Sequence, residues 1–159
     1  MKQPPTRKYC VLKGVGHDVT EETLNADQLA AIDRDEFDLV ISKITAEMIV
    51  RLPSGKRVKY TGRWPRMGPS SSALLEALLL NTTEFVSPKE LAELCANTNM
   101  MENTALAARI LSLRKTLGDC GEHFIETQKT PGHYAVRWTG RPWLMIERAP
   151  ADARVTQAT

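Results

Sequence analysis

The sequence predicts an α+β fold. Three observations carry this: a strand-hairpin pattern around residue 55, a run of three helical segments after it, and a second hairpin pattern ending near residue 138.

KYCVLK at 8–13 alternates loosely, as a strand does. Residues 26–36, ADQLAAIDRDE, place Leu29 and Ile32 at helical spacing, and FDLVI at 37–41 is a compact β-rich run. MIVRLPSGKRVKYTGR at 48–63 turns at Pro53, Ser54 and Gly55. A three-residue loop with Gly55 in the left-handed region sets Leu52 opposite Lys56 and Val50 opposite Val58. Met48, Val50, Val58 and Tyr60 then share one face, and Arg51, Arg57 and Lys59 the other. Like charges facing each other across strands are unfavourable unless something negative neutralises them, so the basic face is expected to meet a polyanion.

Ser70, Ser71 and Ser72 offer N-caps for SALLEALLLN, which ends near Asn81. Ser87, Pro88 and Glu90 form a capping-box pattern for a second helix that buries Leu91, Leu94 and Cys95. A third starts near Asn103 and stops at Gly118, with Leu106, Ile110, Leu113 and Leu117 as its core stripe. HFIETQKTPGHYAVRW at 123–138 then reads as two strands around Thr130-Pro131-Gly132. Two helices, a recognition-type helix and a closing hairpin are the layout of a winged helix-turn-helix.

At 159 residues the chain holds one domain plus an appendage. Its 42% apolar and 25% charged residues exclude wholesale disorder, and no apolar stretch is long enough for a membrane helix. MKQPPTRKYC has no apolar run behind its charges, so it does not read as a secretory signal. Cys10, Cys95 and Cys120 show no disulfide framework, which makes a cytoplasmic setting the expectation. Residues 46–68 carry six basic side chains and one acidic, while residues 18–38 carry eight acidic and one basic, Arg34. The first block is a localised patch for a polyanion or a solvated hairpin. The second is an ordinary exposed helix, or an element that docks on a basic surface or on another protein.

The stretch from SALLEALLLN to HYAVRW resembles the DNA-binding effector domain of OmpR-type response regulators. The resemblance rests on Ile110, Leu113, Arg114, Lys115 and Leu117, then Ile125, Glu126 and Thr127, then Gly132 and Tyr134, with His133 inserted between the last two. It covers about residues 46–138 and implies a winged-helix domain there. Residues 1–45 form a short strand-helix-strand extension, 139–148 a C-terminal extension, and 149–159 a disordered tail. DQLAAIDRDEFDLVISKI is similar to one step of a receiver domain, but Lys43 stands where the phosphate-accepting aspartate would. No complete receiver fits, and phosphorylation control is not expected.

The resemblance implies a third helix in the major groove, with Thr104, Ala105, Arg109 and Ser112 nearest base edges and Ala108 on the same surface. Arg114, Lys115 and the helix amides behind Ser87 would reach phosphates. Gln128, Lys129, Thr130 and His133 would place the wing on the adjacent backbone or minor groove. Arg51, Arg57, Lys59, Arg63 and Arg66 would add electrostatic attraction. Leu111, opposite the core stripe, would meet a thymine methyl or a protein. The implied partners are double-stranded DNA, a second copy on that DNA, and RNA polymerase.

Other patterns are incomplete. Cys120, His123 and His133 lack a fourth zinc ligand, the only spare being Cys95. Gly14-Val15-Gly16 has Val19 at the third glycine position of a dinucleotide loop. Ser54-Gly55-Lys56 lacks the upstream glycine of a phosphate loop and is followed by Arg57. His17-Asp18 has no nucleophile near it, and WLMIE at 143–147 reads as an extra strand or a subunit contact. The expectation is a cytoplasmic, nucleoid-associated transcription regulator without metal, cofactor or catalysis. The alternative is a winged-helix adaptor that modulates polymerase or another regulator without strong DNA binding.

Overall fold

The structure is a computed structural model. It describes residues 7–61, 69–81, 84–87, 90, 91, 93, 103–119, 121–130 and 133–149, with side chains left out at 61, 69–73, 103–107, 130 and 133. The chain opens with strands β1 (Tyr9–Val15) and β2 (Asp18–Leu24), short helix α1 (Ala26–Ala30) and a 3-10 turn at Arg34–Glu36. Strands β3 (Leu39–Ser42), β4 (Glu47–Arg51) and β5 (Arg57–Thr61) follow. Next come helices α2 (Pro69–Leu80) and α3 (Asn103–Leu117), then β6 (Ile125–Thr130), β7 (His133–Trp138) and β8 (Trp143–Arg148).

Six strands form one sheet in the order β2-β1-β8-β3-β4-β5, and β6 and β7 form a separate hairpin. This corrects the expected class. A winged helix-turn-helix has a small antiparallel sheet beside three helices, whereas here a six-stranded mixed sheet dominates. The reason is non-local pairing. β8 inserts between β1 and β3, antiparallel to the first and parallel to the second, so Leu39 lies beside Trp143 and Leu12 beside Met145. β3 also pairs with β4 across the 45/46 boundary expected from the sequence. Strands β1, β2 and β3 from the expected extension and β8 from 139–148 therefore build the main sheet together with β4 and β5, and WLMIE lies in one of its inner strands. Of the expected disordered tail, 150–159 lies outside the described residues.

Strand alternation splits the core between the two faces of the sheet. Leu39, Ile41, Met48, Val50, Trp143 and Met145 pack with Leu74, Leu75 and Leu78 of α2 and with Ile110, Leu113 and Leu117 of α3. Val11, Val40, Leu144 and Ile146 point the other way, against Phe37, Leu29 and Ile32. Each such buried side chain contributes ~1.5–3 kcal/mol relative to exposure. α2 is apolar nearly all round, as a helix enclosed by sheet and neighbouring helix must be. Its first residue is Pro69, so the three serines fall inside the first turn instead of capping it.

The 47–61 hairpin forms with Val50 opposite Val58 and Arg51 opposite Arg57. Gly55 takes φ +91, which a left-handed turn position requires. β2 carries no strand signal in the sequence because it is a solvated edge strand: six of its seven residues are exposed, so no buried face imposes alternation.

Candidate nucleic-acid interface

The core stripe seats α3 by burying Ile110, Leu113 and Leu117. Its opposite side then faces water: Ala108, Leu111, Ser112 and Lys115 are exposed, and Arg109 is half-buried. Thr104 and Ala105 belong to the same helix, but their side chains lie outside the described residues. Gln128 and Lys129 are exposed on β6, and Thr130 pairs with His133 where the hairpin reverses. The side chains of Thr130 and His133, and the turn residues Pro131 and Gly132, lie outside the described residues. Between helix and hairpin is an open groove of about 630 Å³ lined by Ile110, Leu111, Arg114, Glu122, Thr127, Lys129 and Tyr134. Burial raises the Tyr134 phenol above its ordinary pKa, against the pull of nearby Arg114.

α3 ends as its Gly118 predicts. Gly118 (φ +69) donates its N–H to the Lys115 carbonyl at 3.1 Å, and Asp119 donates to that of Arg114 at 2.8 Å, the two bonds of a Schellman cap. The Asp119 carboxylate is fully enclosed, its side chain 0% exposed. It accepts from the backbone N–H groups of Gly121, His123, Phe124 and Ile125 at 3.1, 2.7, 2.9 and 2.8 Å. Burial alone would raise its pKa. Those four donors outweigh burial and hold it below the usual carboxylate value. One side chain thus fixes the path from α3 into β6. Asp119 was not among the residues expected from the sequence, although an Asp beside a helix-ending Gly and two residues before another Gly is a loop-organising signal.

Arg114 belongs to this brace. It donates to Thr127 Oγ1 and faces Asp119 at 3.9 Å, its side chain only 15% exposed. Its geometry is that of a strut between helix and hairpin. Ser87 is also occupied. Its hydroxyl accepts from the Glu90 N–H at 3.2 Å and donates to the Glu90 carboxylate at 3.3 Å, so a side-chain anion already sits at the helix start foreseen for a phosphate. Just before it, Val86 pairs with Val136 and ties this helix start to β7.

The basic face of the β4–β5 hairpin carries counter-charges from within the chain. Arg51 binds the Asp38 carboxylate at 2.9 Å and the Asp35 carbonyl. Arg57 reaches Asp35 at 3.4 Å and the carbonyls of Arg34 and Phe37, and Lys59 reaches Glu47 at 3.3 Å. Asp38 also takes Arg141 at 3.4 Å. Asp35 and Asp38, at the end of the acidic stretch, are therefore counter-charges of the chain's own basic hairpin. Arg63 and Arg66 lie outside the described residues.

Lys43, at the receiver-like position, bridges Glu76 of α2 and Glu147 of β8. Burial opposes its charge, but the two carboxylates outweigh it and hold the ammonium above the ordinary lysine value. Arg109, Lys115 and Lys129, by contrast, make no ion pair among the described residues.

Gly14 and Val15 end β1, and Gly16 with His17 makes the turn into β2, with Val15 opposite Asp18. Of the zinc pattern, Cys120 lies outside the described residues, and the His123 ring meets Phe124 edge-on at 4.5 Å. Among the described residues no helix is long and apolar enough to cross a membrane. No family model, curated protein or solved structure matches the chain.

Proposed function

We propose that the chain is a sequence-specific DNA-binding transcription regulator that lays the exposed face of α3 in the major groove and rests the β6–β7 hairpin on the adjacent backbone or minor groove. One observation carries this reading. Arg51 and Arg57 of the β4–β5 hairpin are paired with the chain's own carboxylates, while Arg109 and Lys115 of α3 and Lys129 of β6 stand without an ion pair among the described residues. A solvated helix face of short side chains, Ala108 and Ser112, lets a helix backbone come close to base edges. Lys115 and Lys129 reach phosphates, and Arg109 and Ser112 lie nearest the bases, with Thr104 and Ala105 one to two turns earlier on α3. The reading places the protein in the cytoplasm on the nucleoid, assigns it no catalytic step, and allows a second copy on the same duplex.

The test is fluorescence anisotropy with a random duplex pool across a salt series, beside Arg109→Ala and Lys129→Ala. Affinity that falls linearly with log salt, and falls further in both variants, is expected. Absence of binding at low salt overturns the proposal.

A second reading is a protein adaptor for polymerase or another regulator. The acidic Glu122 in the lining of the helix–hairpin groove favours it.

A further inference from the structure

Leu111 is the most exposed large apolar side chain among the described residues, at 57%. It is not a stray surface leucine at a helix end. It sits within the fifteen-residue α3, one turn before Lys115 and one turn after Ala108 on the solvent side. Its neighbours Ala108 and Ser112 are short, so the isobutyl group stands above them as a knob. Lys115 follows it one turn on and Lys129 lines the same groove, both without an ion pair among the described residues, with Glu122 also in that lining. An apolar knob flanked by two such cations suits a surface that is strongly anionic yet carries isolated methyl groups. The major groove of duplex DNA is such a surface, and thymine supplies its only methyl.

We infer that Leu111 is a specificity-determining residue that reads the C5-methyl group of thymine. This rests on the DNA-binding reading above and sharpens it, because it names the base edge and the atom recognised. The contact is apolar, so it selects thymine over uracil at a position whose hydrogen-bonding groups are identical. It also leaves the phosphate contacts, and hence the salt dependence, untouched.

The experiment uses the full chain and the duplex selected from a random pool, with each thymine replaced in turn by uracil. The expected result is one or two positions where uracil weakens binding about three- to five-fold, the worth of one buried methyl group. Leu111→Ala should bind the thymine duplex as weakly as the wild type binds the uracil one, and should not distinguish the two. Leu111 is exposed, so the variant is expected to keep the wild-type melting temperature. Equal binding of thymine and uracil duplexes by the wild type, or discrimination that survives in Leu111→Ala, overturns this inference alone. A chain that binds no duplex overturns it together with the reading beneath it.

Discussion

Gly14 of β1 and Trp143 of β8 face each other across the sheet, and the indole occupies the space where a side chain on residue 14 would stand. A Cβ built on Gly14 would overlap the indole Nε1 and Cε2 atoms. Trp143 is 0% exposed and packs in the core shared with α2 and α3, and its Nε1 has no hydrogen-bond partner among the described residues. The missing side chain at Gly14 is thus what admits β8 to the middle of the sheet.

Gly14→Ala should therefore destabilise the chain, by about 1–3 kcal/mol or more, because a well-packed core yields poorly to added volume. Urea unfolding followed by Trp fluorescence checks this. A midpoint equal to the wild type would mean that the indole does not depend on that space.

The buried Asp119 makes the helix–hairpin junction sensitive to acid. Its pKa lies below the unfolded value, so its contribution is complete above about pH 4 and is lost as pH falls through the folded value. Asp119→Asn offers a single carbonyl to four donors and turns an NH2 group toward the others. A loss of about 2 kcal/mol or more at neutral pH is expected, with a flatter dependence of stability on pH between about 5 and 2. Thermal melts of both proteins across that range decide it. Parallel pH curves would contradict the role given to Asp119.

Cys10 should be chemically quiet. Burial, then the hydrogen bond to Glu21 at 3.3 Å and the charges of Glu21 and Glu147, push its thiol up to about 11. The thiolate is the reactive form, so alkylation of the folded chain at pH 8 should be far slower at Cys10 than in urea. Peptide-level mass spectrometry reads this directly. Equal rates in both conditions would show that the thiol is open.

How legible the fold and the candidate surface are in the sequence depends on range. The 47–61 register, the Gly118 cap and the 125–138 hairpin are readable because each is dictated by residues within a few positions of one another. The class is not, because it turns on β8 finding the slot between β1 and β3, which no local pattern encodes. β2 is silent because edge exposure removes the buried face that creates alternation. Charge is legible in amount but not in use: Arg51 and Arg57 look free in the sequence until the Arg34–Glu36 turn is seen to lie over them. Arg114 likewise reads as a surface cation until Asp119 and Thr127 claim it.

That division between engaged and free cations is the core of the DNA-binding proposal, and the salt slope of DNA binding tests it most directly. The slope of log affinity against log salt should fall by about 0.9 for Lys129→Ala and again for Lys115→Ala, since each phosphate left unneutralised keeps its counterion. Arg51→Ala should leave the slope at the wild-type value, since Asp38 and Asp35 already hold that guanidinium. A slope that drops in Arg51→Ala but not in Lys129→Ala would place any polyanion on the sheet, and would contradict the assignment of α3 and the hairpin to DNA.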